Sequence, residues 1–257
     1  MFRLEYRNVT MNFPGAKGAE TITAVSEVNF FVSDGEVVSL IGPSGCGKST
    51  LLNIGSGLYS PSKGQAFVDG ERVEGPNAHV AFMLQKDLLL PWLTICENVM
   101  FGVQIQHHSR AECRRRADEL LANFQLTEFA DRYPGQLSGG MRQRVALART
   151  LAVDPTVLLL DEPFSAIDAQ TRIVLQRDLA RTLKTARKTA LLITHDLLEA
   201  VTLADRVLVM SRRPGRIIDE IQIDIPDRDD PIARRRHPKV EQYLERLMDR
   251  LDIGHDA

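Results

Sequence analysis

One contiguous run, Gly42-Pro43-Ser44-Gly45-Cys46-Gly47-Lys48-Ser49-Thr50, has the residue types and spacing of a loop that wraps phosphate. Gly45 and Gly47 let the backbone curl so that successive N–H groups point inward, and the helix that follows presents its positive N-terminus to the same place. Lys48 is expected to reach the β- and γ-phosphates of a bound nucleoside triphosphate, and the Ser49 hydroxyl to ligate Mg²⁺. Three further points along the chain carry matching chemistry. Asp161 supplies an oxygen ligand for Mg²⁺, directly or through water, because a hard cation takes oxygen donors and keeps several waters. Glu162 is the candidate general base for an attacking water. Gln85 is suited to touch metal or water. His195 is expected to hydrogen-bond the γ-phosphate or to orient the water held by Glu162.

These residues need a scaffold, and the apolar runs supply one. Residues 37–41 run into the phosphate loop, 157–160 into Asp161-Glu162, 190–193 into Thr194-His195-Asp196, and 80–84 into Gln85. Short fully apolar runs alternating with helices predict a parallel sheet, and such sheets bind ligands at the carboxyl ends of their strands. A lone carboxylate after an apolar run is an ordinary helix cap and a lone histidine an ordinary structural one. Three such ends beside a phosphate loop point instead to a site. Before about residue 75, alternating strands with Asp34-Gly35 and Asp69-Gly70 turns predict a small antiparallel sheet. From about 86 to 134 the pattern is helical: Ser109-x-x-Glu112 is expected to act as a capping box before Cys113, Ala117, Leu120, Leu121 and Phe124. A last helix places Val240, Tyr243, Leu244, Leu247, Met248 and Leu251 on one face, expected to dock on the core.

Leu137-Ser138-Gly139-Gly140-Met141 opens another helix, with Ser138 as N-cap and two glycines leaving amides free at a second helix N-terminus. A chain with one phosphate loop has no evident use for a second anion site of its own, so this one is expected to complete a nucleotide site on a partner copy. The order of residues 42–50, Gln85, 137–141, 157–162, Ser165-Ala166-Ile167-Asp168 and His195 resembles the nucleotide-binding subunit of an ABC transporter across nearly the whole chain. The resemblance implies an α/β fold of the P-loop NTPase, ABC-ATPase type, with a mostly parallel core sheet, an antiparallel β subdomain and an inserted helical subdomain. The expected divisions are residues 1–85 for the β subdomain with the phosphate-loop part of the core, 86–134 for the helical subdomain, 135–216 for the remainder of the core, and 217–257 for a C-terminal extension. It also implies an ATPase whose two copies sandwich two ATP molecules, each between residues 42–50 of one copy and Ser138-Gly139-Gly140 of the other. Phe13 matches the aromatic that stacks on adenine, although Gly15-Ala16-Lys17-Gly18 follows it as an insertion. Asp168 matches the residue linking the two sites. Met141 stands where Gln is usual and Ile167 where Leu is usual; neither position is a phosphate donor, so activity is expected to survive both.

The segments 89–99, 137–144, 199–207 and 213–216 resemble importer subunits of the nitrate/sulfonate/taurine group. That implies an integral membrane permease as partner, a periplasmic solute-binding protein beyond it, and a peripheral position on the cytoplasmic face of the inner membrane. The apolar stretch 88–93 is the expected permease contact. A small-molecule kinase would share the phosphate loop but would need neither residues 137–141 nor His195. A soluble ABC protein acting without a permease would usually carry paired cassettes or a long coiled-coil insertion.

Composition agrees. With 257 residues, a net charge of −2 and 26 % charged residues, nothing argues for nucleic acid as a partner. The runs Arg114-Arg115-Arg116 and Arg234-Arg235-Arg236 read as solvated faces. Three irregularly spaced cysteines (Cys46, Cys96, Cys113) support neither a disulfide framework nor a zinc site. Residues 1–7 alternate and carry charge, unlike a secretory leader, and no apolar run approaches the ~18 residues of a membrane span. A soluble protein is therefore the expectation.

Overall fold

Two long strands, β1 (Phe2–Phe13) and β2 (Ile22–Ser33), open the chain in the computed structural model, which describes residues 1–15, 21–165 and 167–252. Ala16, Lys17 and Gly18 of the inserted segment, and Ala166, lie outside the described residues. Strand β3 (Val37–Ile41) leads through the phosphate loop into helix α1 (Lys48–Gly55), followed by β4 (Lys63–Val68), β5 (Glu71–Arg72) and β6 (Val80–Met83). Helices α2 (Ile95–Ile105) and α3 (Arg110–Asn123) precede α4 (Gly139–Ala152). Then β7 (Val157–Asp161), α5 (Ala169–Thr185), β8 (Thr189–Ile193), α6 (Leu197–Leu203) and β9 (Arg206–Met210) alternate. β10 (Ile217–Gln222), α7 (Pro231–Arg235) and α8 (Lys239–Arg250) follow.

The strands form two sheets. β2, β1, β4 and β5 pair antiparallel, while the central sheet runs β10-β9-β3-β8-β7-β6, parallel except for the edge strand β10. Every residue of β3, β7, β8 and β9 is buried, as a parallel sheet covered on both faces requires. Because side chains alternate across a strand, each contributes to two cores. Val37 and Ile41, Leu158 and Leu160, Ala190 and Leu192 face the helices; Val38 and Leu40, Val157 and Leu159, Leu191 and Ile193 face α1 and the antiparallel sheet. Burying such side chains contributes about 1.5–3 kcal/mol each, so the strand ends sit on the most rigid part of the molecule. The order β3-β8-β7-β6 brings the carboxyl ends of these four strands to one edge.

Several expectations need correction. The Ser109 hydroxyl accepts from the Glu112 N–H at 3.2 Å, but Glu112 turns its carboxylate to His108, 3.5 Å away, so only half of the expected capping box forms. The complete box is at Thr94 and Glu97, opening α2. Residues 86–94 are irregular rather than helical, and Leu84 lies outside β6, exposed. Met248 is 39 % exposed: Val240 and Leu247 are buried and Tyr243, Leu244 and Leu251 pack beside them, so the stripe is narrower than its spacing suggested. Arg114 and Arg115 pair with Asp118 and Glu119 on an exposed face, as expected. Arg234 does not share that fate. It is buried, donating to the carbonyls of Ala204 (2.7 Å), Pro226 (3.0 Å) and Ile225, and so ties α7 to the end of α6.

Candidate nucleotide site

The phosphate loop takes its shape from close packing. Gly47 has φ +108°, and a Cβ there would meet Val25 Cγ1 at 2.4 Å and the Ala24 carbonyl at 3.0 Å, so only glycine fits. No side chain caps α1 and no acid stands in its first turn, which leaves its positive end for an anion. Lys48 Nζ donates to the carbonyls of Gly42 (2.7 Å) and Pro43 (3.0 Å) and lies 3.8 Å from Cys46 Sγ, poised at the mouth of the loop. A cavity of about 380 Å³ opens there, lined by Ser44, Gly45, Gly47, Lys48, Ser49 and Thr50 together with Phe13 and Glu162. Phe13 also meets the edge of Tyr59, with ring centroids 5.8 Å apart.

The neighbouring strand ends converge on Glu162. Its carboxylate accepts from Gln85 Nε2 at 2.9 Å and lies 3.4 Å from His195 Nδ1, so residues that follow β6, β7 and β8 meet at one oxygen, Oε2. Glu162 has φ +47°, a left-handed conformation that costs a residue with a Cβ roughly 1–3 kcal/mol and turns the chain out of β7. Asp161, just before it, is buried. That burial pushes its carboxyl above the ordinary range, against the opposing effect of the Ser49 hydroxyl, which hydrogen-bonds it, and of Lys48. A hydroxyl and a carboxylate in contact beside a triphosphate pocket fit a cation that takes most of its remaining oxygens from phosphate and water. Among the described residues no three His, Cys, Asp or Glu side chains gather into a protein-only metal centre.

The loop carrying His195 is fastened from below. The Thr194 hydroxyl donates to Glu199 at 2.6 Å, Gln176 donates to the other Glu199 oxygen at 2.9 Å, and Arg235 donates to Gln176 at 3.0 Å. Glu199 is buried in this chain of bonds, and burial pushes its carboxyl up.

Ser138, Gly139 and Gly140 do not line the phosphate-loop cavity. Ser138 is exposed and caps α4 by accepting from Met141 N at 3.3 Å. Gly139 instead lines a separate cavity of about 430 Å³ with Gln85, Asp87, Arg142 and Gln143. A Cβ on Gly140 would lie 3.2 Å from Thr171 Cγ2 and 3.6 Å from Ile167 Cγ2. Asp168 is the N-cap of α5; the Thr171 N–H, 3.0 Å away, holds its carboxyl below the usual range.

Sequence reasoning passed over the residues that fix the segment after Gln85. Arg149 of α4 donates to the carbonyls of Asp87 (2.7 Å) and Leu88 (2.9 Å), and Arg142 donates to the Asp87 carboxylate at 3.0 Å. Asn98, fully buried in α2, donates to the carbonyls of Leu90 (3.1 Å), Leu93 (3.1 Å) and Thr94 (2.9 Å) and accepts from Leu90 N at 2.8 Å. An amide flanked by Ile95, Cys96, Val99 and Met100 was the available signal. With the backbone so held, Leu88 and Trp92 stand 53 % and 69 % exposed while Leu89 is buried. A larger cavity, about 530 Å³ between α3 and α5, lies apart from these groups, and its Lys188 and Arg116 are paired with Asp154.

Known proteins resemble the chain in sequence and in fold. The family model described as ABC transporter matches residues 25–165. The taurine import ATP-binding protein TauB of Ruegeria pomeroyi is 40 % identical over 95 % of this chain and 90 % of its own length. The bicarbonate transport ATP-binding protein CmpD of Synechocystis is 46 % identical over 85 % of this chain and 77 % of its own. A dimeric structure of the ATP-binding cassette MJ0796 in a post-hydrolysis state, bound to ADP and Pi, superposes with a TM-score of 0.78. It is 33 % identical, over 86 % of this chain and 99 % of that one. Among the described residues no helix is long and apolar enough to cross a membrane.

Proposed function

The chain belongs to the ABC transporter family and is an ATPase of it, and on that premise we propose that its hydrolysis of ATP powers import of a small solute through a membrane permease. The relatives named for taurine and bicarbonate support the importer reading. A solute of the nitrate, sulfonate or taurine type is the proposed cargo, handed to the permease by a periplasmic binding protein. This chain then works from the cytoplasmic face of the inner membrane. The exposed Leu88 and Trp92, held out by Asn98 and Arg149, are the proposed permease contact.

The observation that carries the catalytic part is the meeting of Gln85, Glu162 and His195 at the rim of the phosphate-loop cavity. In this reading the amides of residues 42–50 and Lys48 bind the β- and γ-phosphates, and Phe13 stacks on adenine. Ser49 and Asp161 would hold Mg²⁺, with Gln85 reaching metal or water, and a cation bound there would supply positive charge to offset that developing on the phosphates. Glu162 takes a proton from the attacking water, whose oxygen forms the new bond to the γ-phosphorus. The electron pair of the broken P–O bond leaves with ADP, and phosphate is released to water. His195 orients the same water or bonds the γ-phosphate. Ser138, Gly139 and Gly140 act on the nucleotide of a second copy, and Asp168 links the two sites.

Tagged Glu162→Gln protein recovered from mildly solubilised membranes, with and without ATP, tests the assignment. A multi-span permease is the expected companion. Recovery only in the soluble fraction, with ribosomes, nucleic acid or nothing, would reduce the reading to an ATPase without a transporter.

A further inference from the structure

The turn between β9 and β10 is pressed against the phosphate loop. Gly215 N donates to the Ala24 carbonyl at 2.9 Å, and its own carbonyl accepts from Ser26 N at 3.0 Å. A Cβ on Gly215 would come within 2.0 Å of the Cys46 carbonyl, so turn and loop touch backbone to backbone. This contact carries Arg213 over Gly45. Its Nε and Nη2 both donate to the Gly45 carbonyl, at 3.2 and 3.0 Å, and the side chain lines the same cavity as Phe13, Lys48 and Thr50.

What the guanidinium lacks is an anion. Among the described residues its hydrogen-bond partner is that one neutral carbonyl, and no carboxylate pairs with it. Arg206, on the neighbouring strand, shows the contrast, with Glu36 at 2.8 Å and Glu220 at 2.9 Å. An arginine has five donors in a planar fork suited to phosphate, and two of those of Arg213 are spent on one acceptor. A cation left unpaired on the wall of a polyanion pocket, and anchored by a clamped turn, has a ligand supplied by that pocket.

The geometry points to Arg213 as a second side-chain cation for the phosphates of the bound nucleotide, beside Lys48, and as the brace of the Gly45 peptide. This rests on the ATP-site reading above. It adds a binding residue from outside the phosphate loop, on a turn more than 160 residues further along the chain.

Titration of the full chain with Mg·ATP, Mg·ADP and adenosine, read by calorimetry at low and high salt, tests it. Arg213→Ala is expected to weaken ATP roughly tenfold, a single charge-assisted contact. ADP loses less and adenosine nothing, and the salt dependence of ATP binding becomes shallower. Arg213→Lys restores part of the affinity because it keeps the charge, whereas Arg213→Gln does not, though it can still donate to Gly45. Arg213 is exposed, so thermal unfolding of all three should match the wild type. Wild-type affinity in Arg213→Gln would overturn the phosphate role and leave only the brace. Binding lost in Lys48→Ala but unchanged in Arg213→Ala would overturn the Arg213 assignment alone; binding unchanged in both would remove the phosphate-loop reading and this one with it.

Discussion

Two glycine-rich helix starts in this molecule look alike in sequence and differ in surroundings. The start of α1 has no capping side chain, carries Lys48, and opens into a cavity that Phe13 and Glu162 also line. The start of α4 is capped by Ser138, has no acidic residue in its first turn, and lies outside that cavity. The first is furnished within one chain to hold a triphosphate. The second stands apart from that cavity, with Ser138 exposed at its tip. That difference fits the proposed two-copy sandwich, in which one helix start serves the nucleotide of its own chain and the other that of its partner.

Substitutions at the two starts should therefore behave differently. The largest effect is expected just beside the first: Glu162→Gln should lower hydrolysis by about 10²- to 10⁴-fold, the range for a general base, while ATP still binds. Phosphate release in single turnover checks this, and full activity would remove Glu162 from its role. Lys48→Ala should weaken ATP by about 2–5 kcal/mol, as truncation of one partner of a close charge pair does, and titration reads it. At the second start the comparison sharpens. Ser138→Asp keeps a good cap, so its melting temperature should stay near wild type, whereas Ser138→Ala loses about 1 kcal/mol of capping. ATP affinity of a single copy should survive Ser138→Asp, yet steady-state hydrolysis should collapse, because the new charge faces the partner's phosphates. Weakened single-copy binding in that variant would place Ser138 in its own site and erase the distinction.

The smallest effect concerns the support under His195. Glu199 is buried and its carboxyl is raised, so the folded protein holds that proton more tightly than the unfolded chain does. Ionising it therefore costs stability; the cost is absent below the unfolded value of about 4.3 and grows as pH rises from there through the raised folded value. The stability of Glu199→Gln relative to wild type should thus climb over that window and be flat below it. A difference independent of pH, from parallel melts, would contradict a raised Glu199.

What was legible in the sequence follows the same division. The phosphate loop could be read because its function is carried by one contiguous backbone segment, and the strand ends because uninterrupted apolar runs stop abruptly at polar residues. The contact of Gln85 and His195 with one Glu162 oxygen depends on β6, β7 and β8 being neighbours, which no local pattern encodes. Arg234 shows the limit in another way. Its run of three arginines looks like a solvated face, yet carbonyls in α6, at its end and beyond β10 take it into the interior. The contacts of Arg149 and Arg213 were illegible for the same reason, since their partners are backbone carbonyls far away in the chain.

In the proposed sandwich the site closes only when a second copy contributes residues 138–140. Light scattering of Glu162→Gln with and without Mg·ATP tests it most directly. A shift from the monomer mass to about twice that mass is expected on adding ATP, abolished by adding Ser138→Asp. A monomer that binds ATP tightly and never changes mass would contradict it.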